Sequence, residues 1–193
     1  MALAGGIGAG KSAVGDYLSS RGFTVVDADQ VARFVVEPQQ PAYFALQDAF
    51  GRAVLTDEQL IDRAFLADVV FHDDSALRRL NAITHGYIGR EIVRQLDLAT
   101  GSAAFVALPL FRPEHRATFV LDEVWAVLSE PEVALGRLKR FRGFNDDDAR
   151  SRLRAQDSND HRAAIADVVL WNNGTLDELR EAVDTLLRQR GLA

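Results

Sequence analysis

The chain has 193 residues, 48% of them hydrophobic, and carries a net charge of −6. That length suits one α/β domain with room for an insertion, and the apolar content excludes a disordered chain. The acidic balance disfavours a nucleic-acid surface, which is usually basic, and the absence of cysteine excludes disulfides, thiolate catalysis and Cys-type metal sites.

In chain order, Met1 to Ala4 reads as a short buried strand entering the loop Gly-Gly-Ile-Gly-Ala-Gly. Val14, Tyr17 and Leu18 recur at helical spacing between Lys11 and Arg21, and Gly22 fits a helix stop. Phe23 to Val26 reads as a second strand, which ends at Asp27-Ala28-Asp29. Residues 30 to 98 read as mostly helical, interrupted by Pro38 and Pro41. Their later part places Leu77, Leu80, Ile83, Tyr87, Ile88, Ile92 and Leu96 on one face. Phe105 to Leu110 is a third apolar run, stopped by Pro109, and Val124 to Leu128 is a fourth. Ser129-Glu130-Pro131-Glu132 reads as a capping box. Asn145-Asp146-Asp147-Asp148 opens a helix with acids where they favour the dipole. Asp167 to Leu170 is a fifth strand, and Thr175-Leu176-Asp177-Glu178 caps a last helix striped by Leu179, Val183, Leu186 and Leu187.

Strand, glycine loop, helix, strand and later alternation predict an α/β fold: a three-layer P-loop architecture with a parallel, five-stranded sheet. The core is expected at about 1–29, 99–136 and 159–193, with a helical acceptor-binding insertion at about 30–98 and a helical lid at about 137–158. No run of about 18 apolar residues predicts a transmembrane helix. The start, lacking a basic segment before its glycine cluster, does not read as a signal peptide. A cytoplasmic protein without membrane or nucleic-acid partners is expected; oligomeric state has no signature.

Gly5 to Ser12 matches G-x-x-x-x-G-K-S. A phosphate chain is wrapped by consecutive backbone N–H groups, and glycines permit the positive φ and close approach this needs. The following helix N-terminus adds its partial charge. Gly8, Ala9, Gly10, Lys11, Ser12 and Ala13 are therefore the expected nucleotide contacts, with Lys11 reaching the β and γ phosphates of ATP and the Ser12 hydroxyl ligating Mg²⁺. Asp27 and Asp29, at the expected strand end, are placed to orient a hydrated cation, accept a proton from a hydroxyl, or cap the next helix. The third strand ends Leu108-Pro109-Leu110 without an acid, and no Asn-Lys-x-Asp segment is present, which points from switch GTPases towards a small-metabolite kinase. Arg137, Lys139, Arg140 and Arg142 cluster as either phosphoryl-stabilising cations or a solvated face. His72, His85, His115 and His161 show no metal-ligand spacing. Trp125 reads as core, and Trp171 as core or pocket wall.

The whole pattern resembles the dephospho-coenzyme A kinases. The resemblance rests on the phosphate loop and on Val26-Asp27-Ala28-Asp29 with Val31-Ala32-Arg33 and Val35-Val36-Glu37-Pro38. It continues through Asp62-Arg63, Asn81-Ala82 with His85, Pro109-Leu110, Arg152-Leu153 with Gln156, Ala166-Asp167 and Asn172-Asn173-Gly174. It implies transfer of the ATP γ-phosphoryl group to the ribose 3′-hydroxyl of dephospho-CoA. Asp29 is then the candidate base, Lys11 and Arg140 are catalytic, and Arg142 and Asn173 join the nucleotide site. Asp29, Arg33, Arg63 and His85 form the acceptor site. The chain departs from the family pattern at Ala13, where a phosphate-facing threonine is usual, at Gly86, at Pro113, at Phe141 in place of a lid arginine, and at Trp171 in place of an aspartate. These departures leave open a P-loop kinase of another small metabolite, or a catalytically weak nucleotide-binding relative.

Overall fold

The computed structural model describes residues 1–192. Its elements, in chain order, are β1 (Ala2–Gly5), α1 (Lys11–Ser20), β2 (Thr24–Asp27), α2 (Ala28–Phe34), α3 (Pro41–Phe50), a 3-10 turn (Arg52–Val54), α4 (Arg63–His72), α5 (Asp74–Asp97) and β3 (Ala104–Ala107). There follow α6 (Glu114–Thr118), β4 (Val124–Leu128), α7 (Pro131–Arg142), α8 (Asp146–Arg154), α9 (Asn159–Ile165), β5 (Val168–Trp171) and α10 (Leu176–Gln189). They form two compact units: Met1–Asp27 with the chain from Leu98 onward, and Ala28–Asp97.

The first unit carries the five-stranded parallel sheet that the alternation predicts, in the order β2-β3-β1-β4-β5. Central strands need apolar residues on both faces, and every residue of β1 and β4 is buried. On one face, Leu3, Phe105, Trp125, Val127 and Leu170 pack against Val14 and Leu18 of α1 and Leu179, Val183 and Leu187 of α10. Trp125 is fully buried and meets Phe105 edge-on at 5.3 Å. Its indole N–H donates to Glu123 at 2.7 Å, and Arg190 grips the same carboxylate with two bonds of 2.6 Å. Truncating a buried leucine such as Leu18 costs about 2–5 kcal/mol in such a core.

The sequence signals for helix starts hold in two cases and fail in one. Asn145 accepts from Asp148 N–H at 2.8 Å, and Thr175 forms a full capping box with Glu178. Ser129, however, does not cap α7. The N-cap is Glu130, without a side-chain bond, and Pro131 occupies the first turn. Proline brings the right φ but no N–H, and Ser129 sits one residue too early; its hydroxyl is buried without a hydrogen-bond partner in the described residues. β3 stops at Ala107, short of the expected Leu110, although Leu108 N–H still donates to Leu3 O at 2.9 Å. Trp171 is not core: it ends edge strand β5 with 52% of its surface exposed.

The second unit is helical. Its long α5 packs against α2, α3 and α4, burying Ile92 and Ala76. The α5 stripe is incomplete, since Leu77 stays 39% exposed. Asp62 caps α4 by accepting from the N–H groups of Ala64 and Phe65, both at 2.9 Å. Among the described residues no helix is long and apolar enough to cross a membrane.

Candidate functional site

β1 leaves the sheet at its carboxyl end, where ligands of open α/β sheets bind, and the loop from Gly6 to Gly10 turns directly into α1. Ala9 N–H donates to Gly6 O at 3.2 Å, closing a tight turn. Gly8 (φ 75°) lies against α7, where an added Cβ would come 2.9 Å from Ala134 O. Gly10 (φ 101°) caps α1 in the left-handed region. The helical ladder begins with Val14 N–H donating to Gly10 O at 3.1 Å. The N–H groups of the preceding turn lie ahead of that ladder and give the helix N-terminus its capacity for an anion. Ser12 is exposed on that turn.

Three other segments hold the loop. Asn172, only 6% exposed, donates from its side-chain amide to Ala9 O at 2.8 Å. Its own backbone and side-chain oxygens accept from Arg137 at 2.9 and 3.0 Å. Next to it, Asn173 Oδ1 accepts from Glu130 N–H at 2.8 Å, tying the turn after β5 to the start of α7. From the other side, Gln156 Oε1 accepts from Ile7 N–H at 2.9 Å, and Arg162 also donates to that oxygen at 3.2 Å. The Ile7 side chain packs onto the small core of Leu135, Leu138 and Ala149 between α7 and α8.

These placements revise several expectations. Ala13 packs its methyl against the main core, and its backbone stands at the helix N-terminus. Arg137 is not a solvated lid cation, because it is committed to Asn172. Asp27 ends β2, but Asp29 lies in the first turn of α2 and not at a strand end, since the helix starts at once with Ala28. Arg140 and Arg142 are exposed in the last turn of α7, with Arg140 over the Phe141 ring at 5.2 Å. Arg33, at the end of α2, Arg63, opening α4, and His85, on α5, are all exposed in the helical unit with Asp29. The loop, Arg140, Arg142 and Asn173 belong to the sheet unit.

No group of three or more His, Asp or Glu side chains among the described residues is arranged to hold a metal ion. Ser12, exposed on the first turn of α1, carries the loop's one hydroxyl, a group that could ligate a divalent cation beside phosphate oxygens and water. Asn172, Gln156 and Arg162 were not singled out as site residues by their chemistry. Asn172 and Gln156 fell within the segments of family resemblance, whereas Arg162, one arginine in a short polar helix, left no signal.

A profile of the dephospho-CoA kinase family matches residues 1–178. The chain is 43% identical over 190 residues to a dephospho-CoA kinase from Corynebacterium glutamicum, covering 97% of this chain and 94% of that protein. The crystal structure of TT1252 from Thermus thermophilus superposes with a TM-score of 0.75 at 28% identity, covering 97% of this chain and 95% of that one. The dephospho-CoA kinase from Campylobacter jejuni shares the fold, with a TM-score of 0.63 at 23% identity, over 97% of this chain and 96% of that one.

Proposed function

The chain belongs to the dephospho-CoA kinase family, and we propose that it transfers the γ-phosphoryl group of ATP to the ribose 3′-hydroxyl of dephospho-CoA. The observation that carries this reading within the molecule is the formed phosphate loop, with left-handed Gly8 and Gly10 leading into the α1 N-terminus. In the reaction the 3′-oxygen bonds to Pγ, the Pγ–O bond to ADP breaks, and the hydroxyl proton leaves. Loop N–H groups and the Lys11 ammonium hold the β and γ phosphates and offset the charge that develops on them. Ser12 is the residue that would hold a divalent cation, which would offset the negative charge of the phosphates.

Asp29 is the base in this proposal, accepting the hydroxyl proton; its exposed position in the first turn of α2 leaves it open to solvent. A loose transition state needs positioning more than strong deprotonation, so its share is modest. Arg33, Arg63 and His85 are proposed to hold the acceptor, and the end of α7 with Arg140 and Arg142 to act as a lid over the nucleotide held by Asn173 and the loop. Residues 30–98 then serve as the acceptor-binding insertion and 137–158 as the lid of the sheet domain. The protein works in the cytoplasm on small molecules alone. The exposed Phe141, in a place where the family pattern has an arginine, favours weak activity or another acceptor as the second reading.

A coupled ADP-release assay tests this with wild type, Lys11→Ala and Asp29→Asn. The expected result is turnover with dephospho-CoA that Lys11→Ala abolishes and Asp29→Asn slows while ATP affinity is kept. ADP release with other alcohols but not with dephospho-CoA would establish the second reading, and no turnover with any acceptor would sink the kinase assignment.

A further inference from the structure

Arg162 sits on α9, directly beside the opening of the phosphate loop. A Cβ added at Gly6 would lie 3.4 Å from its guanidinium carbon and 3.1 Å from Gln156 Oε1. Arg162 lines a small cavity with Gly5, Pro109, Leu110, Phe111 and Asp157, beyond the carboxyl ends of β1 and β3. It is half-buried, and burial lowers its pKa against the opposing pull of Asp157.

The hydrogen bonds of Arg162 go to oxygens that carry no full charge. One is the backbone carbonyl of Asp157 and the other the side-chain amide oxygen of Gln156. A partly desolvated guanidinium is costly unless anions compensate it, and the Asp157 carboxylate offsets only part of that cost. The adjacent surface is a loop built to hold phosphate, and guanidinium groups match phosphate oxygens with parallel N–H donors. Gln156 fixes the geometry, because one oxygen accepts from both Ile7 N–H and Arg162 and so locks the cation to the loop. The turn after β5 reaches the loop at its other end, where Asn172 donates to Ala9 O. Arg162 stands beside Gly5 and Gly6, at the end of the loop that leads out of β1.

We propose that Arg162 is a catalytic cation that binds the transferred γ-phosphoryl group, with Gln156 as its positioning residue. This rests on the kinase reading above. It also supplies, from α9, a fixed positive charge in a chain whose α7 has Phe141 where the family pattern has an arginine.

The test compares wild type, Arg162→Met, Arg162→Lys and Gln156→Leu by calorimetry with ATP and with ADP, by turnover with dephospho-CoA, and by thermal melting. A cation that meets only the γ-phosphate contributes to ATP binding and not to ADP binding. Arg162→Met should lose about ten- to a hundred-fold of the preference for ATP over ADP and about 10²–10³ in kcat. Arg162→Lys should keep part of the preference, and Gln156→Leu should lower kcat more than it weakens ATP binding. An unchanged ATP-to-ADP affinity ratio and unchanged kcat in Arg162→Met, with the wild type active, overturns the proposal and leaves the kinase reading standing. If Arg162→Met melts before it can be assayed, wild-type behaviour of both Arg162→Lys and Gln156→Leu overturns it. A wild type that neither binds ATP nor turns over overturns both.

Discussion

An alanine at position 10 meets two obstacles at once. The left-handed backbone at Gly10 disfavours any Cβ by about 1–2 kcal/mol, and that Cβ would overlap the Asn172 side-chain amide. Displacing the amide breaks its buried bond to Ala9 O, at about 1–3 kcal/mol. Gly10→Ala should therefore lower Tm by roughly 4–20 °C, from about 2–4 °C per kcal/mol at this size, and weaken ATP binding at least about tenfold, since the same residue aims the helix N-terminus. An unchanged melting point and unchanged ATP affinity would contradict the description of this turn. The glycines and Lys11 were legible in the sequence because their spacing has a backbone cause. Asn172 and Arg162 were not legible by chemistry: Asn172 reaches Ala9 at a separation of 163, and Arg162 meets the loop through its near neighbour Gln156, which reaches Ile7 at 149.

At the scale of elements, α7 has two different ends. Its body packs Leu135 and Leu138 against Ala149 of α8, and Arg137 fastens it to the turn after β5. Lys139 and Arg150 share Asp146, at 2.7 Å each, and hold its carboxyl below the usual range. Its last turn instead leaves Arg140, Phe141 and Arg142 exposed. If this turn acts as the proposed lid, saturating ATP should slow tryptic cutting after Arg140 and Arg142, and leave cutting at exposed sites on other helices of the sheet unit, such as Arg188 of α10, unchanged. Equal cutting with and without nucleotide would contradict a lid there. Sequence reasoning placed both helices and found the Asn145 cap, because capping is local chemistry. It misjudged Ser129, since Pro131 moved the helix start one residue on, and it grouped Arg137 with the exposed cations because a charge run does not show which member turns inward.

For the molecule as a whole, alternation of strand and helix disclosed the class of fold and all five strands, β4 with its ends in place and the others with ends shifted by one to three residues. The spatial order β2-β3-β1-β4-β5 was not readable, because it depends on crossovers rather than on any local pattern. The proposed chemistry draws on both units: the phosphate loop in one, and Asp29, Arg33, Arg63 and His85 in the other. Phosphorus NMR of the reaction product tests that chemistry most directly. With ATP and dephospho-CoA, the ATP γ resonance should give way to a phosphomonoester on the ribose 3′ position, and Lys11→Ala should leave both substrates intact. Loss of the γ resonance without a 3′-phosphomonoester, or identical spectra from wild type and Lys11→Ala, would contradict it.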